Sequence, residues 1–444
     1  MMSFGPPAVV LTAGQGGAAP VAARSVRSPW AVRLWSFAMV VGPGLIVMVA
    51  DNDAGAVSTY TQAGALYGTR LLWFLAALLP CTYFIQEMVV RLGIATGRGL
   101  TPLIYQRFGA RWGALNLVSL LVANFLTLVT EFAMVTLCAA HLGVRPGVAV
   151  PLAAGGLLAL VLTGSYRRWE RATIFLCAFD LLWLAFAARL SPGAGVVARD
   201  LVVPRMPLGG VTPQLLFLLV AIVGTTIAPW QLFFQQSCVV DKRLRFRDLP
   251  WARLDTFIGG LVVIGMAVCM VVVGDALRRT GAAYADPGQM AVALAAQAGP
   301  WVSHGLLLLM VNAAVLGATT ISLASAWAYG EVKGWPHSLQ RSPREAPLFY
   351  ALYLVCITLA GGLVLLPGAP LQLIIVGVQV CCGIVLPVML VFLQLLCTDR
   401  ELLGDQFVNR PWNNVVNTVI IAVLFGLSTL LALQVLVPQR FAGH

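Results

Sequence analysis

Apolar residues gather along the chain into eleven runs, about 34–67, 70–94, 113–142, 147–165, 169–190, 212–240, 252–276, 301–331, 347–366, 370–396 and 413–437. Each is long enough, as a helix, to cross a hydrocarbon core of roughly 30 Å. The pattern predicts an all-α polytopic membrane protein with about eleven transmembrane helices. Two of the runs are interrupted by groups that do not belong at mid-membrane. The first opens on Gly42-Pro43-Gly44 and carries Asp51-Asn52-Asp53-Ala54-Gly55 near its middle. The sixth contains Thr225-Thr226-Ile227-Ala228-Pro229-Trp230-Gln231.

A carboxylate at that depth costs several kcal/mol, so it must face a cavity, a partner or a cation. Gly55 can leave helical geometry cheaply and is expected to open the first helix beside Asp53. Pro229 has no N–H, so the carbonyl of Thr225, four residues back, loses its helical donor. Two interrupted helices at matching places, first and sixth, mark the binding site of an inverted-repeat transporter. The expected organisation is a first repeat over 31–192, an extracellular loop over 193–211, a second repeat over 212–396, and an eleventh helix with the C-terminus over 397–444.

Other polar groups lie inside apolar runs. Glu131 in the third run admits two readings: a place on the ion path, or a protonated acid bonded to a neighbouring helix. Gln379 in the tenth run either completes a coordination shell or joins two helices. Asp180 in the fifth run admits the same two readings as Glu131, Asn312 and Thr319-Thr320 read as packing groups, and Asp275, followed by Arg278 and Arg279, as an interfacial charge. Glu87 and Arg91 stand at a spacing that puts both on one helix face.

Composition agrees with the hydropathy. Of 444 residues 59% are hydrophobic and 10% charged, which excludes an ordinary soluble domain. The net charge of +11 follows from loops. Most Lys and Arg fall on one side of the membrane if the N-terminus is cytoplasmic and the C-terminus extracytoplasmic, the expected orientation in a cell membrane. No nucleic-acid partner is needed to explain them. The bilayer is the partner, and the loop from Lys242 to Arg253 can touch anionic lipid. The nine cysteines show no zinc spacing, and only Cys381-Cys382 stand adjacent. Residues 1–30, rich in Gly, Ala, Ser and Pro, read as a flexible cytosolic tail.

With these residues in place, the chain resembles the NRAMP family of divalent-metal transporters, whose fold is that of the amino-acid transporter LeuT. The likeness rests on Gly42-Pro43-Gly44, on Asp53 and Gly55 in the family's Asp-Pro-Gly-Asn position, and on Arg91 to Arg98 after the second helix. It rests also on Glu131, on Gln379, and on Thr225 to Gln231 where the family has Ala-Thr-Val-Met-Pro-His-Asn. It implies a LeuT-like 5+5 inverted repeat and a metal site drawn from Asp53, Asp51, Asn52, Thr225, Ala228, Gln379 and Gln231. Glu131, Trp230, Gly55 and Pro229 would line the ion path or gate. Asp51 and Asn52 have alternative places in the vestibule, and Gln231 an alternative as a helix cap.

The departures from the family pattern matter. Ala228 replaces a methionine, Trp230 a histidine, and Leu128 an aspartate linked to proton movement, as in the NRAMP-related magnesium transporter branch. Loss of a soft thioether leaves oxygen donors, which suit hard Mg²⁺. Loss of titratable groups implies transport without proton coupling. The expectation is a monomeric uptake system for partly hydrated Mg²⁺, with Mn²⁺ also carried, no resident cofactor and no enzymatic activity. The alternatives are a proton-coupled Mn²⁺/Fe²⁺ or an Al³⁺ transporter of the same family, and, more remotely, a Mg²⁺-dependent membrane enzyme. The last would need basic residues beside the acids to hold phosphate, and none lies between Arg33 and Arg70.

Overall fold

The computed structural model describes residues 42–207 and 210–436. The expected tail, 1–30, the first residues of the first apolar run, 34–41, and the last of the C-terminus, 437–444, lie outside the described residues. Within them the chain is helical, in the order α1 (Pro43–Ala50), α2 (Ala54–Tyr67), α3 (Leu72–Thr96), α4 (Leu100–Phe108), α5 (Ala110–His141), α6 (Pro146–Val161), α7 (Tyr166–Asp180), α8 (Leu182–Leu190) and α9 (Ala194–Val202). There follow α10 (Pro213–Thr226), α11 (Pro229–Asp241), α12 (Leu249–Thr280), α13 (Pro287–Ala298), α14 (Pro300–Lys333), α15 (Pro347–Val364), α16 (Leu371–Thr398), α17 (Arg400–Leu403) and α18 (Pro411–Leu436).

Each expected run has its helix or pair of helices. Among the described residues nine segments are long and apolar enough to cross a membrane, and α6 is a shorter apolar helix. The first run is broken into α1 and α2, and the sixth into α10 and α11. Among the described residues four short helices, α4, α9, α13 and α17, sit in connections that hydropathy leaves blank.

The first break lies one step upstream of its expected place. Gly55 is inside α2; α1 ends on Asp51, still helical (φ −72°, ψ −14°), and the chain leaves helical geometry over Asn52 and Asp53 instead. The reason is capping: Asp53 adopts an extended backbone (φ −68°, ψ −173°) and its carboxylate accepts the Ala56 N–H at 3.0 Å. An aspartate satisfies the free donors of a helix start better than a glycine can. The second break falls at Ile227 (φ −135°, ψ 69°) and Ala228 (φ −72°, ψ 144°), with Pro229 as the first residue of α11, where its missing N–H has no intrahelical partner to lose.

α12 holds both halves of the first span in place. Its Asp255 carboxylate accepts the N–H groups of Gly44 at 2.7 Å and Leu45 at 3.2 Å, which closes the start of α1. Further along, a Cβ added at Gly64 would stand 2.0 Å from the Val271 carbonyl oxygen, and one at Gly274 2.1 Å from that of Thr61. Small residues therefore let α2 and α12 touch backbone to backbone, the usual way helices associate in lipid.

Candidate metal centre

The two breaks face one another across Gln379 of α16. A Cβ at Gly55 would lie 1.7 Å from the Gln379 side-chain nitrogen, and a Cβ at Gly224 would lie 2.0 Å from the Gln379 carbonyl oxygen. One residue thus packs its amide on α2 and its backbone on α10. Here the glycine at 55 serves close approach, which corrects its expected role as the hinge of the broken helix. Tyr60 and Thr226 add a hydroxyl–hydroxyl bond of 2.7 Å between the same two helices.

Around this junction the buried side chains carry polar atoms without partners. Among the described residues, both carboxylate oxygens of Asp51, both amide atoms of Asn52, the Thr225 hydroxyl and both amide atoms of Gln379 have no partner at hydrogen-bond distance. Asp51 stands beside Asp53 and Gln231. Gln231 accepts from Gln86 Nε2 at 2.9 Å, and its own side-chain nitrogen is unpartnered. Unpaired buried polar atoms are rare, because each forfeits roughly 1–3 kcal/mol of solvation. Their concentration at one spot marks a place for a ligand that supplies the missing partner.

Electrostatics point to a cation. α1 ends, and α2 begins, at the Asp-Asn-Asp step, so the negative end of one half-helix dipole meets the positive end of the other. Asp53 and Glu131 both attend to the positive end. Glu131 Oε2 accepts the Ala54 N–H at 3.0 Å, while its Oε1 has no partner. Gly317 of α14 makes room for the pair: a Cβ there would sit 2.7 Å from the Asp53 Cβ and 3.0 Å from the Glu131 carboxyl carbon. While Asp53 and Glu131 cap α2, the side chains of Asp51, Asn52, Thr225 and Gln379 keep polar atoms that no group among the described residues meets. No group of three or more His, Cys, Asp or Glu gathers as a metal cluster among the described residues.

The centre is closed to both faces. Asp51, Asn52, Asp53, Thr225, Gln231 and Gln379 are all buried. On one side Ser58 donates to Gln372 Oε1 at 2.9 Å, and Tyr284 donates to the Ser58 carbonyl at 3.2 Å. On the other, Trp230 meets Phe234 edge-on at 5.9 Å, and Phe234 leans on Trp327 and Trp169. Trp230 is thus part of an aromatic wall.

Several neighbours of the centre are silent in the sequence pattern. Tyr60 and Gln86 look like ordinary members of their runs, and Thr226 stands out only as part of the Thr225–Gln231 segment. Cys382, one helical turn beyond Gln379, is buried, lies within electrostatic range of Asp53 and Asp51, and approaches the Thr127 hydroxyl at 3.6 Å. Away from the centre, Asp180 accepts from Asn312 Nδ2 at 2.7 Å on one oxygen while the other has no partner among the described residues, and Asp275 pairs with Arg278 and Arg279 at 2.7 and 3.0 Å.

A bundle of spanning helices, two of them broken at facing points, defines a LeuT-type membrane transporter and not an enzyme. The chain belongs to the Nramp family: residues 44–434 match the family described as natural resistance-associated macrophage protein-like. It is similar to the divalent metal cation transporter MntH of Burkholderia ambifaria, 26% identical over 412 residues and 88% of each chain. It is also similar to MntH 1 of Pseudomonas aeruginosa, 28% identical, with 85% of this chain and 88% of that one covered. In fold it is similar to the Eremococcus coleocola manganese transporter bound to an aromatic bis-isothiourea substituted compound, with a TM-score of 0.73, 20% identity, and 89% and 86% of the two chains covered. MhsT in complex with L-phenylalanine shares the fold more distantly, with a TM-score of 0.55, 13% identity, and 87% and 98% covered.

Proposed function

We propose that the protein, acting as a monomer, mediates uptake of divalent metal cations, Mg²⁺ foremost and Mn²⁺ second, without coupling to protons. Asp51, Asn52, Asp53, Thr225, Gln231 and Gln379 surround the ion, which keeps part of its hydration. The observation that carries the reading is Ala228. It is the buried N-cap of α11 at the second break, and it brings neither sulfur nor imidazole to that position. Mg²⁺ prefers octahedral oxygen coordination and gives up its waters reluctantly, whereas a thioether favours softer metals. A methyl group in that position leaves room for water.

The uncoupled character rests on Trp230 and Leu128, neither of which carries a proton; Glu131, with one oxygen on the Ala54 N–H and the other unpartnered, is the one acid beside the centre against which it must be tested. Downhill uptake is then driven by the gradient and the membrane potential, roughly 2.3 kcal/mol per charge per 100 mV. The excess of Lys and Arg on one side supports a cytoplasmic N-terminus and an extracytoplasmic C-terminus.

A second reading, preference for Mn²⁺, is favoured by Cys382, a buried thiol one helical turn beyond Gln379 on α16. The Eremococcus structures are of a manganese transporter. Proteoliposomes loaded with a pH indicator separate the readings. Mg²⁺ uptake with a steady internal pH supports the proposal. Lumenal acidification in step with the metal rejects the uncoupled mechanism, and Mn²⁺ uptake in the absence of Mg²⁺ uptake rejects the assigned ion.

A further inference from the structure

Away from the helix breaks, a cavity of about 420 Å³ opens between α3, the start of α12 and the segment leading into α18. That volume lies in the range of small-molecule sites, roughly 300–1,000 Å³. Three arginines and one carboxylate line it. Arg91 is buried and fully engaged: its Nε pairs with Glu87 at 3.1 Å, its Nη2 donates to Asn409 Oδ1 at 2.5 Å, and its Nη1 donates to the Phe407 carbonyl. Glu87 is thereby neutralised. Arg253 reaches the same carboxylate at 2.7 Å yet leaves 43% of its side chain exposed. Arg410 lines the cavity, is exposed, and makes no ion pair or side-chain hydrogen bond among the described residues. One carboxylate against three arginines leaves a surplus of two positive charges.

The mouth of the cavity has a different character. Phe84 meets Trp412 edge-on at 5.7 Å, and Tyr83 meets Phe257 edge-on at 5.7 Å. Trp412 and Phe257 stay half exposed, as do Leu261 and Val415 further along the same helices. Amphipathic aromatic rings bordering an apolar helix surface are the signature of the membrane–water boundary. Between the charged and aromatic parts, Asn413 presents a buried side-chain oxygen that no donor meets.

We infer that this cavity binds an anionic glycerophospholipid. The headgroup phosphate sits between Arg253 and Arg410, a headgroup hydroxyl donates to Asn413, and the acyl chains run past Phe84 and Trp412. Guanidinium groups suit the phosphate geometry, and basic pockets between spanning helices are recognised lipid-headgroup sites. A free phosphate ion shares the anionic chemistry but makes no use of the aromatic mouth.

The test is native mass spectrometry and thermal stability of the full-length detergent-solubilised protein, titrated with phosphatidylglycerol, phosphatidylcholine or inorganic phosphate. Arg410→Gln is the first variant, because that side chain makes no ion pair or side-chain hydrogen bond among the described residues and its loss leaves their contacts intact. Arg253→Gln is the second. Wild type is expected to retain phosphatidylglycerol over phosphatidylcholine, and each substitution to weaken phosphatidylglycerol about fivefold, at roughly 1 kcal/mol per basic residue. Binding of phosphatidylcholine should not change. Equal phosphatidylglycerol binding by wild type and Arg410→Gln overturns the site. Full displacement of the lipid by inorganic phosphate overturns the lipid as its occupant.

Discussion

Glu131 on α5 accepts the backbone N–H of Ala54 at 3.0 Å, so a side chain from one helix closes the start of a half-helix in another. Its second oxygen has no partner. Glu131→Gln keeps an oxygen for that N–H and removes the proton-exchanging group. Under uncoupled transport, Glu131→Gln is expected to fold normally and to show the Mg²⁺ flux and pH profile of wild type. Glu131→Ala strands the Ala54 donor and should lower unfolding stability by about 1–3 kcal/mol. Thermal melts and uptake across the neutral pH range check both. A wild-type pH dependence that disappears in Glu131→Gln would show that this carboxyl carries protons.

Gly55→Ala tests the junction of the two breaks. Its Cβ would overlap the Gln379 side-chain nitrogen at 1.7 Å, so the Gln379 amide must swing out of its place or the two helices must part. Overpacking of this kind costs about 1–3 kcal/mol. The expected result is a folded but less stable protein with strongly reduced uptake. Adding Gln379→Ala should restore the melting temperature and leave uptake low, because the space is recovered and an oxygen donor is lost. Restored uptake in the double variant would remove Gln379 from the ion's surroundings.

Asp53 combines two duties that one substitution separates. Asparagine caps helices about as well as aspartate, so Asp53→Asn should preserve the bond to Ala56, now 3.0 Å, and the fold. It removes the negative charge. Uptake is expected to fall at least about tenfold, the lower end of what changes around a metal produce. Near wild-type flux in a folded Asp53→Asn protein would mean that the residue is a cap alone.

Asp200 ties the connection between the two halves of the chain to the corner after α2. Thr69 Oγ1 donates to its Oδ2 at 2.6 Å, and Arg199 Nε to its Oδ1 at 2.9 Å. Burial pushes the carboxyl upward, but the Thr69 hydroxyl and Arg199 outweigh it and hold the pKa below the usual aspartate value. A depressed folded-state pKa contributes stability that is present above the unfolded value and lost as pH falls through the folded one. The local contribution should therefore persist at neutral pH and fade in acid. Asp200→Asn is expected to flatten the acid limb of a melting-temperature profile; an unchanged limb would detach this residue from the acid response.

How much of this was legible beforehand depended on the kind of signal. The broken first and sixth spans were readable, because acids and proline at mid-membrane violate the rule that lipid imposes on a helix. The position of the first break was misread: Gly55 advertises backbone freedom, yet Asp53 supplies the cap that ends the distortion sooner. What Gly55 does depends on Gln379, far away in the chain, and hydropathy contains no cross-helix register. The same blindness hid Cys382 beside the aspartates, the Tyr60–Thr226 and Gln86–Gln231 bonds, and the closure of α2 by Glu131. Each is an ordinary residue until a neighbouring helix is placed against it.

Selectivity is the sharpest consequence of Ala228. Its methyl group is buried at the second break, and a methionine there would direct a thioether into a centre whose unpartnered atoms are otherwise oxygen and amide nitrogen. Soft sulfur favours transition metals over Mg²⁺. Ala228→Met is expected to strengthen competition by Mn²⁺ and Cd²⁺ by about tenfold or more and to weaken Mg²⁺ uptake by filling the water space. Cys382→Ser is the companion measurement. If the thiol takes no part, that variant keeps the wild-type order of Mg²⁺ over Mn²⁺ and the wild-type sensitivity to Cd²⁺. Loss of Cd²⁺ sensitivity in Cys382→Ser, together with no gain in Ala228→Met, would transfer control of selectivity from the second break to α16 and favour the Mn²⁺ reading.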